Sequence, residues 1–369
     1  MLKAVSKLSF FNNKEKIKRI EFLLIISYVV LLTIGYFAVK SSVLNSSLEG
    51  IEKQQFLWMI LGIVFFTLSL FIPERLIKTF APVLFYLNFF ALILVLFSNP
   101  ISGARRWIRV GPFGFQPSEF FKLSLILYLS YVISEKVSKR YFYFSSLIII
   151  FSSILIYKEP DFSTTLIVLF TWFIIVFVSG KFEKLWQYSL GLALIAGPFV
   201  FLNLQEYQKG RILGFLFPEQ YALSYFYNTD QAMKAIGSGG ILGKGYMSGF
   251  MNLTNFVPES HSDFILSVIG EEFGFVGVSL ILLLYIIILW RLFKGYKISE
   301  DNFWKYYYFG AAFLLFFHVF QNVGMNLGIM PVTGIPLPLI SYGGTSILTF
   351  SIILGLAAKG LMIEKNITG

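Results

Sequence analysis

Long apolar runs separated by short polar stretches dominate this chain. They fall near residues 22–39, 56–72, 77–98, 117–134, 143–157, 162–179, 185–203, 263–291, 304–329 and 343–361. Most approach the roughly 20 residues that a helix needs to cross a bilayer core. The run at 143–157 is short and is expected to be tilted or partly interfacial. Lys40 stands where a signal-peptide cleavage site would need a small residue, so the first run is read as a retained helix. One polar stretch is far longer than the rest, at about 204–262. It is rich in Gly, Tyr and Phe without being low in complexity, and long loops of that kind are usually functional. The pattern predicts an all-α polytopic membrane protein of about ten transmembrane helices, with a large loop between helices 7 and 8 and residues 1–369 forming a single domain.

Composition agrees with the pattern. The 369 residues are 56% hydrophobic and only 14% charged, against roughly 25% charged in a soluble domain. A globular core of this size cannot hide that deficit, so lipid must solvate much of the surface. Cysteine is absent, which excludes disulfides, thiolate metal sites and a cysteine nucleophile. His261 and His318 are the only histidines, too few for a histidine-rich zinc or iron centre.

The net charge of +10 suggests nucleic acid only until the basic residues are placed. Lys3, Lys7, Lys14, Lys16, Lys18 and Arg19 precede the first run. Arg75 and Lys78, then Lys136, Lys139 and Arg140, then Lys181 and Lys184, then Arg291, Lys294, Lys297 and Lys305 fill alternate loops, and Lys359 and Lys365 close the chain. All fall on one side of the ten runs. The positive-inside rule makes that side the cytoplasm and puts both termini there, with no nucleic-acid partner needed. The long loop is then extracytoplasmic. The same outer side holds Arg105, Arg106 and Arg109, against the rule.

Candidate chemistry gathers on that outer side. Asp263 stands where the long loop meets the eighth run, close to the level of lipid head groups. It could serve as a general base on a sugar hydroxyl; alternatively Ser262 caps the helix and Asp263 favours its positive end. Arg106 beside Trp107 suits phosphate at an interface, or simple interfacial anchoring. Glu119 and Lys122, spaced i, i+3 just inside the fourth run, share a helix face. Charges at that depth are functional candidates, or else a structural ion pair. Glu159 and Asp161 precede the sixth run. Glu271 and Glu272 lie roughly 12 Å further along the eighth helix from Asp263 and read as structural, or facing a wet cavity. The Gly-rich stretch 237–245 fails as a nucleotide loop, since Gly245 follows Lys244 where Ser or Thr is required. Its backbone could still cradle a diphosphate, or form a re-entrant turn. The Pro/Gly-rich segment 322–346 breaks the helix at membrane depth, which is tolerated where backbone is buried in protein or lines a cavity.

These segments together resemble the SEDS family, the RodA and FtsW peptidoglycan polymerases, over nearly the whole chain. The resemblance rests on Arg106-Trp107 with Gln116-Pro117-Ser118-Glu119 and Lys122, on Pro160-Asp161, on Ala235 to Gly245, on Pro258 to Phe264 with Glu271-Glu272, and on Asn322 to Ser346. The short N-terminus and the stretch with Gln208, Arg211, Phe215-Leu216 and Pro218-Glu219 look more like the RodA branch. Ser262 stands where the family usually has Thr, Ser163 where it has Gly and Phe217 where it has a polar residue.

The resemblance implies a peptidoglycan glycosyltransferase that polymerises lipid II on the outer face of the bacterial cytoplasmic membrane, for elongation and rod shape. The family's essential aspartate matches Asp263, and the acid and lysine of its central cavity match Glu119 and Lys122. Arg106, Trp107, Lys244, Arg211, His261 and Ser341 are expected to bind substrate. Lys122, Arg106 and a divalent cation, Mg or Mn, are expected to neutralise the diphosphate. Expected partners are a class B penicillin-binding protein, other membrane proteins of the elongation complex, lipid II and undecaprenyl diphosphate. Competing readings are a flippase for the lipid-linked precursor, an FtsW-type division polymerase, another lipid-to-sugar transferase such as an O-antigen ligase, and a non-catalytic scaffold. A flippase needs access from both faces, and the candidate chemistry here gathers on one.

Overall fold

The computed structural model of the chain describes residues 21–44, 48, 50–100, 104–110, 113–135, 138–254 and 256–367. The basic residues expected before residue 20, Lys136, and the Gly103 and Gly111-Pro112 parts of the third motif lie outside the described residues. The helices are α1 (Phe22–Ser42), α2 (Ile51–Phe71), α3 (Glu74–Val95), α4 (Pro117–Ser134), α5 (Lys139–Lys158), α6 (Phe162–Ser179) and α7 (Glu183–Leu202). They continue as α8 (Glu206–Leu216), α9 (Tyr227–Ser238), α10 (Phe250–Leu253), α11 (Ile265–Ile298), α12 (Asn302–Asn326) and α13 (Gly344–Ile367). A two-stranded antiparallel hairpin, β1 (Ile108–Val110) with β2 (Phe113–Phe115), joins α3 to α4.

Eight of these helices are long and apolar enough to cross a membrane: α1, α2, α3, α5, α6, α11, α12 and α13. Helices α4 and α7 complete the ten that were expected. Fifteen of the eighteen residues of α4 are buried, so protein rather than lipid surrounds it and it can carry Glu119 and Lys122. The long loop is less irregular than its sequence suggests. It folds into α8, α9 and the single turn α10.

Lipid tails are as apolar as leucine, so helix association inside a membrane depends on close packing and polar contacts rather than on escape from water. Small residues serve the first need where α2 meets α13. A Cβ on Gly355 would lie 2.6 Å from the carbonyl oxygen of Phe66, and one on Gly62 would lie 2.8 Å from Ser351 Oγ. The backbones therefore touch where only glycine fits. Polar contacts serve the second. Tyr28 hydrogen-bonds Ser351 Oγ at 2.8 Å, and Arg291 pairs with Glu21 in a buried contact at the end of the bundle where the basic loops lie.

Helix α11 is broken at Gly274, whose φ of 62° and ψ of −157° are not helical. The Gly-rich stretch fills that break. Lys244 and Gly245 donate their N–H groups to the carbonyls of Glu271 and Glu272, while Phe275 and Val276 donate to Gly240 and Ile241. Of the two readings of this stretch, a diphosphate cradle or a re-entrant turn, the cradle would lack the N–H groups of Lys244 and Gly245, which repair a helix. Both contacting glycines are required: a Cβ on Gly243 would lie 2.1 Å from Glu272 O, and one on Gly274 would lie 2.5 Å from Gly243 N.

Between α12 and α13 the backbone runs irregularly from residue 327 to 343. Buried backbone groups there need partners, and side chains supply them. Asn322 donates to Ile335 O at 2.8 Å, Gln321 to Pro331 O at 3.1 Å and Ser163 to Thr333 O at 2.5 Å. Ser341 Oγ accepts from Leu337 N at 2.8 Å.

Candidate active site

The ends of α4, α6, α11, α12 and α13 that lie opposite the basic loops surround a cavity of about 180 Å³. It has room for on the order of ten waters, and charged and polar side chains share its lining with apolar ones. Arg106, Trp107, Gln116, Glu119, Lys122, Asp161, Thr164, Asp263, His318, Thr345 and Ser346 are among the residues that line it. Of the residues expected from the sequence, Arg106, Trp107, Glu119, Lys122 and Asp263 therefore meet in one place.

Asp263 sits in the turn before α11 and is half-buried. Helix α11 starts at Ile265 with no side-chain cap, and Ser262 instead hydrogen-bonds Glu259, so the capping role considered for Ser262 is not the one it plays. What fixes Asp263 is its own carbonyl, which accepts from Asn322 at 2.9 Å and Asn326 at 3.1 Å. Burial pushes its carboxyl up to about 6; Arg211 opposes this, Glu259 adds to it, Arg106 opposes and Asp161 adds. A carboxylate so tuned is a better proton acceptor than an exposed one and still ionised near neutral pH.

Arg211, on α8, reaches the same place from the loop. A Cβ on Gly334 would lie 3.4 Å from Asp263 Oδ2 and 3.7 Å from Arg211 Nη1, so both charges border that glycine. Among the described residues no carboxylate lies within ion-pairing distance of Arg211, whose guanidinium rests 5.7 Å from the centre of the Tyr207 ring. Arg106 is more committed. Its Nε donates to Glu159 O at 2.7 Å and its Nη2 to Pro160 O, which ties the β-hairpin loop to the start of α6. Asp161 caps α6 through Thr164 N at 3.0 Å and accepts from Gln116 Nε2 at 3.3 Å.

At the floor of the cavity, Lys122 pairs with Glu119 at 2.7 Å and contacts His318 Nε2 at 2.9 Å. His318 was weighed in the sequence only as a possible metal ligand. Its position four residues before Asn322, on the same face of α12, is the signal that could have placed it here.

The remaining expected binding residues stand apart from the cavity. Lys244 pairs with buried Glu271 at 2.7 Å, and Glu271 also accepts from Met251 N, Asn252 N and the Asn252 side chain, so both serve the loop's fold. Glu272 accepts from Ser41. Ser341 is buried and donates to Ser262 O at 2.6 Å, holding the chain beside Asp263. His261 lies against Glu259 and the Tyr342 ring, and burial lowers its affinity for a proton while Glu259 opposes the change. Its carbonyl accepts from Tyr342 N at 2.9 Å.

The sequence pattern of the family described as "Cell cycle protein", covering FtsW, RodA and SpoVE, matches residues 17–365. The peptidoglycan glycosyltransferase MrdB of Escherichia coli K12 is 32% identical over 327 residues, covering 86% of this chain and 88% of that one. A probable peptidoglycan glycosyltransferase FtsW of Wigglesworthia glossinidia brevipalpis is 32% identical over 361 residues, covering 92% and 93%. Among solved structures, a chain from a peptidoglycan synthase complex that coordinates polymerization and crosslinking superposes with a TM-score of 0.78 at 30% identity, covering 94% of this chain and 98% of that one. The rod shape determining protein RodA of Thermus thermophilus superposes with a TM-score of 0.68 at 29% identity, covering 94% and 97%.

Proposed function

The chain belongs to the FtsW, RodA and SpoVE family of cell cycle proteins, and on that premise we propose that it is a peptidoglycan glycosyltransferase polymerising lipid II, with Asp263 as general base. The observation that carries this reading is the cavity that gathers Asp263, Glu119, Lys122 and Arg106, on the face opposite the basic loops. That face is read as the outer face of the bacterial cytoplasmic membrane, with both termini in the cytoplasm.

Glycan extension joins a sugar hydroxyl to an anomeric carbon that carries a lipid diphosphate. Asp263 takes the proton of the attacking hydroxyl, and its raised proton affinity suits that task. The bond to the diphosphate breaks as the new C–O bond forms, which inverts the anomeric centre. The leaving group carries its own negative charge away, so no second carboxylic acid is needed, unlike the pair in glycosidases. Arg211, the cation beside Asp263 that has no carboxylate partner among the described residues, stabilises the departing diphosphate. Asn322, Asn326 and Ser341 act indirectly, by fixing the turn that presents Asp263.

Among the described residues no group of three or more His, Asp or Glu side chains converges as a metal cage. The Mg or Mn ion that the resemblance implies would therefore be held jointly by a cavity carboxylate and the substrate's phosphates, as magnesium often is, and would supply charge neutralisation. No step here depends on it. The RodA-like features of the α8 segment favour elongation over division. The cross-linking partner is proposed to be a class B penicillin-binding protein, in keeping with the synthase complex that this fold matches.

Purified protein incubated with lipid II in detergent is expected to yield glycan strands. Rapid scrambling of a labelled lipid-linked sugar across vesicles, with no strands in detergent, would show a flippase instead.

A further inference from the structure

The lysine at the floor of the cavity reads, from sequence alone, as a counter-charge for diphosphate. Its surroundings argue against that. Lys122 and Glu119 are both buried and form an ion pair at 2.7 Å. Any anion brought to the ammonium would also meet the carboxylate.

The hydrogen-bonding positions can be counted. The carbonyl of Leu314 can only accept, so His318 Nδ1, 2.8 Å away, carries a hydrogen and donates it. Nε2 of the neutral ring then accepts from Lys122 at 2.9 Å. An ammonium has three hydrogens. Glu119 Oε1 takes one and His318 takes the second, which leaves one. Glu119 Oε2, buried in the same cavity, has no partner, and neither has Ser346 Oγ. A buried carboxylate oxygen without a donor is costly, so it points to a ligand.

The floor thus offers one donor and one acceptor on adjacent atoms of a net-neutral pair. A hydroxyl matches that demand with a single oxygen, accepting from Lys122 and donating to Glu119 Oε2. We propose that Glu119 and Lys122, with His318 as the positioning residue that leaves Lys122 a single outward hydrogen, form a subsite for a sugar hydroxyl other than the attacking one. The diphosphate belongs instead to the Arg211 side. This assignment rests on the cavity being a glycan-polymerising site, and it divides that site into a neutral sugar floor and a cationic diphosphate side.

The test is the affinity of the full chain for lipid II and for analogues that each lack one sugar hydroxyl. One analogue is expected to bind at least about tenfold more weakly than lipid II, because a site built around a hydroxyl rejects its absence. That penalty should disappear in Glu119→Gln/Lys122→Met, where both charges go together and no orphaned ion is left in the fold. His318→Gln, whose amide oxygen can still accept from Lys122, should keep the penalty, and His318→Phe should lose it. Glu119→Gln/Lys122→Met should also hold undecaprenyl diphosphate within about threefold of the native chain, while Arg211→Met weakens it tenfold or more. Analogues that all bind alike would overturn the subsite. So would a penalty that persists without the ion pair, as for a site occupied by water only, or a diphosphate loss larger for Glu119→Gln/Lys122→Met than for Arg211→Met. The analogue series needs no variant and reads binding, so analogues that all bind alike overturn the subsite whether or not a variant folds. Absence of glycan from native protein would instead count against the polymerase reading.

Discussion

At the scale of single residues, the chemistry turns on how protein surroundings retune carboxyl groups at the ends of the helices opposite the basic loops. Asp263 must be ionised to accept a proton, and burial has raised its carboxyl to about 6. Polymerisation should therefore fall about tenfold per pH unit below 6 and level off above it, in a pH–rate profile on lipid II. Arg211 favours the ionised form, so Arg211→Met should move that acidic limb to higher pH as well as lowering the rate. Glu159 is a different case. Both of its carboxyl oxygens are buried without a partner, and burial, reinforced by Asp161 and opposed by Arg106, pushes it up to about 9. The folded chain then keeps a proton that the unfolded chain releases above its ordinary value of 4.5. Stability contributed by this group is greatest at low pH and declines as pH rises through that window, by up to about 1.4 kcal/mol per pH unit. Glu159→Gln, neutral throughout, should gain thermal stability relative to the native chain as pH goes from 5 to 8. Asp263, Glu119 and Lys122 were legible because charge inside or at the edge of an apolar run is conspicuous. His318 was not, because a histidine inside an apolar run gives no sign of which residue it faces.

At the scale of elements, the Gly-rich stretch shows what pattern alone misses. Its glycines suggested exposed N–H groups ready for phosphate, yet Lys244 and Gly245 spend theirs on the carbonyls that the break at Gly274 leaves open. Only the distant partner, thirty residues on, reveals that use. Gly243→Ala forces a Cβ to 2.1 Å from Glu272 O at a φ of 80°. It should destabilise the protein by roughly 2–4 kcal/mol, seen as a lower melting temperature in detergent. Lys244→Ala should act in the same direction by leaving Glu271 with one partner fewer, while diphosphate affinity stays unchanged. The same blindness applies to the 204–262 segment, whose helices α8 and α9 are short and lack the long apolar runs that marked the spans.

At the scale of the molecule, ten helices were readable because the runs are long and the loops between them short. The topology puts the cavity at the ends opposite Lys78, Lys181, Lys294 and Lys305, as the charge pattern required. Since the chain has no cysteine, sidedness can be read one residue at a time. A cysteine replacing exposed Leu223 in the long loop should react with a membrane-impermeant maleimide in spheroplasts, whereas one replacing Glu300, between α11 and α12, should react only after lysis. The reverse pattern would invert the assigned orientation. The arrangement of buried partners around the cavity, by contrast, came only with the fold, since α4, α6, α11, α12 and α13 meet there from distant parts of the sequence.

The most direct measurement is the rate of glycan-strand formation from lipid II by purified native protein and by Asp263→Asn, which keeps the shape of the side chain and loses only its basicity. The native chain should polymerise, and the variant should be slower by 10²-fold or more with an unchanged melting temperature. A variant that polymerises at the native rate would contradict the assignment of Asp263 as the base.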